Sequence, residues 1–292
     1  MGEADTGAVG GTALRVAVRR AAHQILDDPK VFDDPLAVRI IGPEAEAKLR
    51  ARTGGKEREW NVSLRAWIAA RSRYAEDGLA KAVERGVRQY VVLGAGLDTF
   101  ACRNPYAEVR VFEVDRSATQ AWKRDQLRAA GMALPGSAVL AACDFERESV
   151  VDRLCEAGFD GRAAAFFSWL GVTPFLTKAA FAGMLQDIGQ VADGLVFDYA
   201  VTPSLLGEQD RFAHEILSRR VAAVGEPYRL FFSPPGLHST LAEAGFTVVE
   251  DMGKEEIQGR YFADRVDGFG VRSTASRLVT CGRAKRSGCR GG

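Results

Sequence analysis

From residue 89 onward, short apolar runs recur with helical stretches between them: "QYVVLG", "VRVFEV", "SAVLAAC", "AAAFFSW" and "DGLVFDY", followed by "GFTVVED" and "SRLVTCG". Runs this rich in Val, Leu and Phe are the mark of strands buried on both faces, and such strands belong to parallel sheets covered by helices. The alternation predicts an α/β, Rossmann-like fold with a mostly parallel seven-stranded sheet. The last two runs lie close together in the chain and are expected to form an antiparallel edge.

Ahead of the sheet the pattern is helical. Residues 14–49 read as helix broken by the loop "DDPKVFDDPLA". Residues 61–85 read as a second helical stretch interrupted at Gly78, with Gly86 as its C-terminal cap. No internal repeat or long linker is visible. The expected organisation is a flexible N-terminus (residues 1–12), a single domain (13–282) and a flexible tail (283–292). Within the domain, residues 13–86 form a helical lid and 87–282 the sheet core, with a lid insertion at about 202–233.

The chain has 292 residues and a formal net charge of +1. Near-neutrality gives no field that would gather nucleic acid or an anionic membrane, so neither is expected as a partner. No apolar stretch approaches the roughly 18 residues needed to span a bilayer. Gly2 fits the loose myristoylation pattern, which is short and common by chance. Five cysteines, Cys102, Cys143, Cys155, Cys281 and Cys289, form no C-x-x-C pair. They read as reduced thiols of a cytoplasmic protein rather than a disulfide frame or a zinc site, and no metal is expected.

The first strand ends in Gly94-Ala95-Gly96. Glycines there let the chain turn sharply and let a ligand approach bare backbone. Glycine after a strand is common in any α/β protein, so the turn alone decides little. The acids that follow decide more. The second strand ends at Glu113 and Asp115, about twenty residues beyond the glycines, where a carboxylate accepts from ribose hydroxyls. The third ends at Asp144 and Phe145, an acid for an exocyclic amine and a ring to pack on adenine. Three successive strand ends thus offer what an adenosine needs. A dinucleotide site wants a third glycine where this chain has Thr99, and Asp98 would repel a pyrophosphate. A cofactor with a sulfonium and an ammonium suits an acid-bearing turn better, and S-adenosylmethionine is such a molecule.

Its carboxylate needs a cation. Leu64, Trp67, Ile68, Arg71 and Ala75 share one helical stripe, which puts Arg71 on an apolar face, where a guanidinium is costly unless paired. Its partner is either the cofactor carboxylate or a local acid such as Glu76 or Asp98. Arg73 lies about 200° away and faces solvent.

The sequence resembles the bacterial S-adenosylmethionine-dependent methyltransferases related to leucine carboxyl methyltransferases. The matching pieces are "VFDDPLAVRIIG", "ARSRYAED", "VVLGAGLDTFACR", "VFEVDR", "CDFE", "WLGVTPFLT", "GEPYRLFF" and "LAEAGF". The resemblance implies a class I methyltransferase in which Arg71 binds the methionine carboxylate and Gly94, Ala95 and Gly96 pass under the cofactor. It implies Asp115 on the ribose and Asp144 with Phe145 at the adenine. Many relatives carry an acid after the fourth strand where this chain has Leu170. Ser168 or a backbone carbonyl is expected to take over that contact.

Methyl transfer from a sulfonium needs alignment, exclusion of water and, for a hydroxyl acceptor, removal of a proton. His23, His214 and His238 are the available histidines. Position 214 falls off the apolar side of its helix, and each histidine reads as structural or solvated. Asp198 and Tyr199, ending the fifth strand, are positional candidates, and no catalytic base is named. "YRLFF" and "PFL" offer apolar walls for a small substrate. The expected activity is O-methylation of a carboxylate or hydroxyl on a small organic metabolite. An NAD(P)-dependent reductase and a cofactor-binding homologue without catalysis are the alternatives.

Overall fold

The structure, a computed structural model, describes residues 11–51 and 57–283. The Gly2 pattern, Cys289 and most of the ends expected to be flexible lie outside the described residues. Gly11 and Thr12 belong to the first helix, and Arg283 to the last strand.

Helices α1 (Gly11–Leu26), α2 (Ala37–Ile40), α3 (Pro43–Arg50) and α4 (Glu59–Glu84) precede the sheet. Its strands are β1 (Gln89–Leu93), β2 (Arg110–Asp115), β3 (Ala138–Ala142), β4 (Ala165–Trp169), β5 (Gly194–Ala200), β6 (Phe246–Met252) and β7 (Ser276–Arg283). Helices α5 (Phe100–Arg103), α6 (Ser117–Ala129), α7 (Val150–Glu156) and α8 (Lys178–Val191) connect the first five strands. Helices α9 (Glu208–Ala222) and α10 (Pro234–Glu243) follow β5, and α11 (Lys254–Tyr261) follows β6.

The strand order is β3-β2-β1-β4-β5-β7-β6. Pairings from β3 through β5 are parallel, and β7 runs antiparallel to both β5 and β6, which is the expected edge. The order reverses between β1 and β4. The carboxyl ends of those two strands therefore open the crevice where this kind of sheet takes ligands.

Alternation along β1 sorts the core. Val91 and Leu93 join Phe112, Phe167, Trp169 and Phe197 on one face. Tyr90 and Val92 join Val111, Phe166, Val196 and the inner side of α4 on the other. Helix α4 runs unbroken through Gly78, contrary to the interruption expected there. A Cβ at Gly78 would lie 2.9 Å from Cζ of Phe166, so the glycine lets the helix approach the sheet rather than ending it. Gly86, with φ of +98°, caps the helix as expected.

The two acids of β2 part company. Glu113 is 1% exposed, and its side chain pairs with Lys123 of α6, which is itself 2% exposed. Burial raises the Glu113 carboxyl against the pull of Lys123. Such a pair contributes little net stability when intact, but removal of one partner strands a charge in the core. Lys123→Met is therefore expected to lower the unfolding free energy by about 3–5 kcal/mol in urea titrations, with Glu113→Leu/Lys123→Met recovering most of it. A single variant as stable as the parent would contradict the pairing.

Candidate active site

Gly94 turns the chain off β1 with φ of +66°, and its missing Cβ leaves room for Val172, whose Cγ2 would stand 2.2 Å away. The N–H groups of Gly94 and Ala95 donate to the Val114 carbonyl at 2.8 and 3.2 Å, which ties the turn to the end of β2. Gly96, at φ of +47°, donates its N–H to Asp115 Oδ2 at 2.8 Å. Its open side faces Ala13 of α1, 3.0 Å from where a Cβ would sit. Helix α1 thus lies over the glycine turn.

A cavity of about 490 Å³ sits at these strand ends. Arg71, Gly94, Ala95, Gly96, Asp115, Asp144, Phe145 and Ser168 all line it, so the sequence-predicted site residues meet in one place. Burial raises the Asp115 carboxyl, offset by N–H donors from Gly96 and Arg116. Asp144 accepts the Glu146 N–H at 3.1 Å. Ser168 accepts a hydrogen bond from the Tyr90 hydroxyl at 2.8 Å, and Leu170 adds an apolar wall where an acid would otherwise stand.

The same cavity is bordered by an ion network that sequence reasoning did not assemble. Asp34, fully buried, accepts from Arg20 Nε at 3.2 Å and Thr99 Oγ1 at 2.7 Å, with Arg103 at 3.4 Å. Arg20 also reaches Asp98 at 3.2 Å, and Arg103 donates to Glu76 at 2.9 Å. Burial alone would raise the Asp34 carboxyl, but Arg20 and Arg103 outweigh it and hold the group below its ordinary range. Asp98 additionally accepts the Phe100 N–H at 2.7 Å. The signal was present in "VAVRR", "FDDP", "YAED" and "GLDTFACR", which supply these partners from four distant segments.

Arg71 pairs with neither Glu76 nor Asp98. Its Nη1 donates to Asp198 Oδ2 at 2.9 Å, and Asp198 Oδ1 accepts the Gly171 N–H at 2.5 Å. Gly171, with φ of +70°, passes so close that a Cβ would stand 2.8 Å from Arg71 Nη2. Arg73 pairs with Asp77 on the surface, as expected. Tyr199, the other positional candidate, donates instead to Asp251 at 2.8 Å.

Arg71, Gly171 and Phe175 also wall a second cavity of about 370 Å³, which Asp198 and His214 line. His214 is 8% exposed, which corrects the expectation that it faces away from the interior. The helix turns that side inward because aromatic rings of Tyr228 and Phe231 pack on the imidazole at 5.9 and 5.5 Å. Burial lowers its pKa. His23 is structural: Nδ1 meets Asp27 at 2.8 Å, while Nε2 accepts N–H donors from Val31 and Phe32. His238 meets Asp251 at the surface.

The sheet order, with a cavity at its reversal point ringed by acids and bare backbone, defines a class I methyltransferase fold. The sequence profile of the leucine carboxyl methyltransferase family matches residues 13–189. A Bacillus subtilis protein with the provisional name S-adenosyl-L-methionine-dependent methyltransferase YktD is 30% identical over 90% of this chain and 94% of its own. A Mycobacteroides abscessus protein, provisionally named in the same way, is 31% identical over 83% of this chain and 82% of its own. In structure, a DUF574-family protein from Streptomyces avermitilis superposes with a TM-score of 0.59 at 16% identity, covering 91% of this chain and 96% of that one, a likeness of fold alone. The chain belongs to the leucine carboxyl methyltransferase family. It is an S-adenosyl-L-methionine-dependent methyltransferase. Among the described residues no helix is long and apolar enough to cross a membrane.

Gly94→Ala combines a left-handed backbone with a clash against Val172. It is expected to destabilise the protein by about 1–3 kcal/mol in thermal unfolding. Adding Val172→Ala should relieve the clash and leave a residue of about 1–2 kcal/mol from the backbone alone.

Proposed function

We propose that the enzyme O-methylates a carboxylate or hydroxyl of a small organic molecule, using the strand-end cavity for its cofactor and the second cavity for the acceptor. The observation that supports this reading is the shared wall: the two cavities meet at Arg71, Gly171 and Phe175, and at Thr12 and Val16 of α1.

The cofactor cavity fits its group. Gly94, Ala95 and Gly96 present bare backbone, and a Cβ at Gly94 would meet Val172. Each Asp115 oxygen holds one backbone N–H, Thr119 adds a side-chain bond, and the carboxylate retains acceptor capacity for a ribose hydroxyl. Asp144 and Phe145 would take the adenine, Ser168 would face the cofactor in place of the missing acid, and Arg71 would take the methionine carboxylate. Bound S-adenosylmethionine supplies a methyl already activated by its positive sulfur. The protein's own residues hold the acceptor in line and exclude water. Helices α1, α4 and α9 would serve as the lid, since all three contribute to the walls of the second cavity.

Arg71 also has a positioning task. Its bond to Asp198, which in turn holds the Gly171 N–H, fixes the partition between cofactor and acceptor. A carboxylate acceptor is already ionised at neutral pH and needs no base, whereas a hydroxyl acceptor does.

Asp115→Ala is expected to weaken S-adenosylhomocysteine binding by roughly 1–3 kcal/mol in calorimetry, with the fold retained by circular dichroism and the unfolding midpoint lowered by loss of the acceptor for the Gly96 and Arg116 N–H groups. Arg71→Met should weaken it also. Unchanged affinity in both variants would contradict the assigned roles.

A further inference from the structure

The second cavity is a slot between two antiparallel helical stripes. Trp60, Leu64, Trp67 and Arg71 line it from α4, and His214, Leu217 and Arg220 from α9. At one end the Arg220 guanidinium lies 4.1 Å over the Trp60 ring. Arg15 of α1 donates to the Arg220 carbonyl at 3.1 Å there, and both arginines are exposed. At the other end stands the Arg71–Asp198 pair, with Tyr228 close enough to feel both charges and the His214 ring stacked on Tyr228. Arg71 and Gly171 at that end border the cofactor cavity, as do Thr12 and Val16 of α1.

The two ends differ in what they ask of a ligand. Asp198 is the carboxylate in the described lining and is committed to Arg71, so among the described lining residues no carboxylate is left to balance Arg15 and Arg220 at the mouth. At the inner end, His214 Nδ1 is buried with no hydrogen-bond partner, while Nε2 meets Ser218 at 3.2 Å. A buried polar atom left unsatisfied costs free energy that a ligand atom would recover. Arg220 lies six positions after His214 in the helix, about 9 Å along the axis at 1.5 Å per residue. Between them the walls are apolar and aromatic.

Resting on the methyltransferase reading above, we propose that the acceptor is a flat, elongated apolar molecule with an anionic group at the Arg15–Arg220 mouth and a nucleophilic hydroxyl at His214. The hydroxyl oxygen bonds to the methyl carbon as the carbon–sulfur bond breaks, its electron pair staying on sulfur. The hydroxyl proton passes to the imidazole, which burial keeps neutral and ready to accept it.

The probes are para-hydroxycinnamate, its neutral amide, and cinnamate, which lacks the hydroxyl. Binding is read by quenching of tryptophan fluorescence with S-adenosylhomocysteine present, after calorimetry has established that this product binds. The acid is expected to bind roughly three- to tenfold tighter than the amide, and this margin should vanish in Arg15→Gln/Arg220→Gln. The advantage of para-hydroxycinnamate over cinnamate should vanish in His214→Phe, whose folding is checked by circular dichroism. Arg220→Gln alone serves if the double variant does not fold. Equal binding of acid and amide, or margins untouched by the substitutions, overturns the proposal while leaving the methyltransferase reading intact. Failure of S-adenosylhomocysteine to bind overturns that reading itself.

Discussion

Asp34 is the point on which the architecture turns. It sits fully buried and accepts from Arg20 of α1 and Thr99 of the glycine turn, with Arg103 of α5 alongside. Through those partners the network also holds Asp98 and Glu76. A carboxylate in that position is tolerable only because two guanidiniums and a hydroxyl compensate its lost hydration. Its consequence is geometric. Helix α1 is pinned across the strand ends, close enough for Ala13 to occupy the space that a side chain at position 96 would need. The cavity therefore has a roof as well as a floor, and the roof is built from a different part of the chain.

The same economy governs the boundary between the two cavities. A single ion pair, Arg71–Asp198, joins a helix before the sheet to the end of β5, and the Gly171 N–H completes it. Methyl transfer requires two molecules to meet end to end in a dry site. On the proposed reading, the bonded pair and Gly171, with Phe175 beside them, would let reacting groups approach and would orient them. Arg71 lines both cavities, and its pairing with Asp198 explains why its apolar helical stripe tolerates a charge.

Much of this was legible in the sequence because it depends on short-range pattern. Apolar runs of strand length marked the sheet strands, and acids at consecutive strand tips marked residues that line one cavity. What escaped depends on contacts between distant segments. The partner of Arg71 lies 127 residues away, beyond any helical-wheel argument. Glu113 and Asp115 look equivalent in "FEVD" and share one face of β2, yet Glu113 lies within the strand beside Lys123 and Asp115 at its tip, toward the cavity. Gly78 read as a break because glycine weakens helices, but tertiary packing against Phe166 overrode propensity. His214 read as outward-facing because its own helix is weakly patterned, and the aromatics that cover it belong to the following loop. The motif pieces "FDDP" and "GLDTF" were visible as family likeness, and only the fold shows that they bond to one another.

A crystal structure with S-adenosylhomocysteine tests the central claim most directly. The account predicts density across the β1–β4 crevice, with ribose hydroxyls on Asp115, adenine beside Asp144 and Phe145, the carboxylate at Arg71, and sulfur facing the partition with the second cavity. Density lying away from those strand tips, or with the nucleoside reversed so that Arg71 meets the adenine, would contradict it.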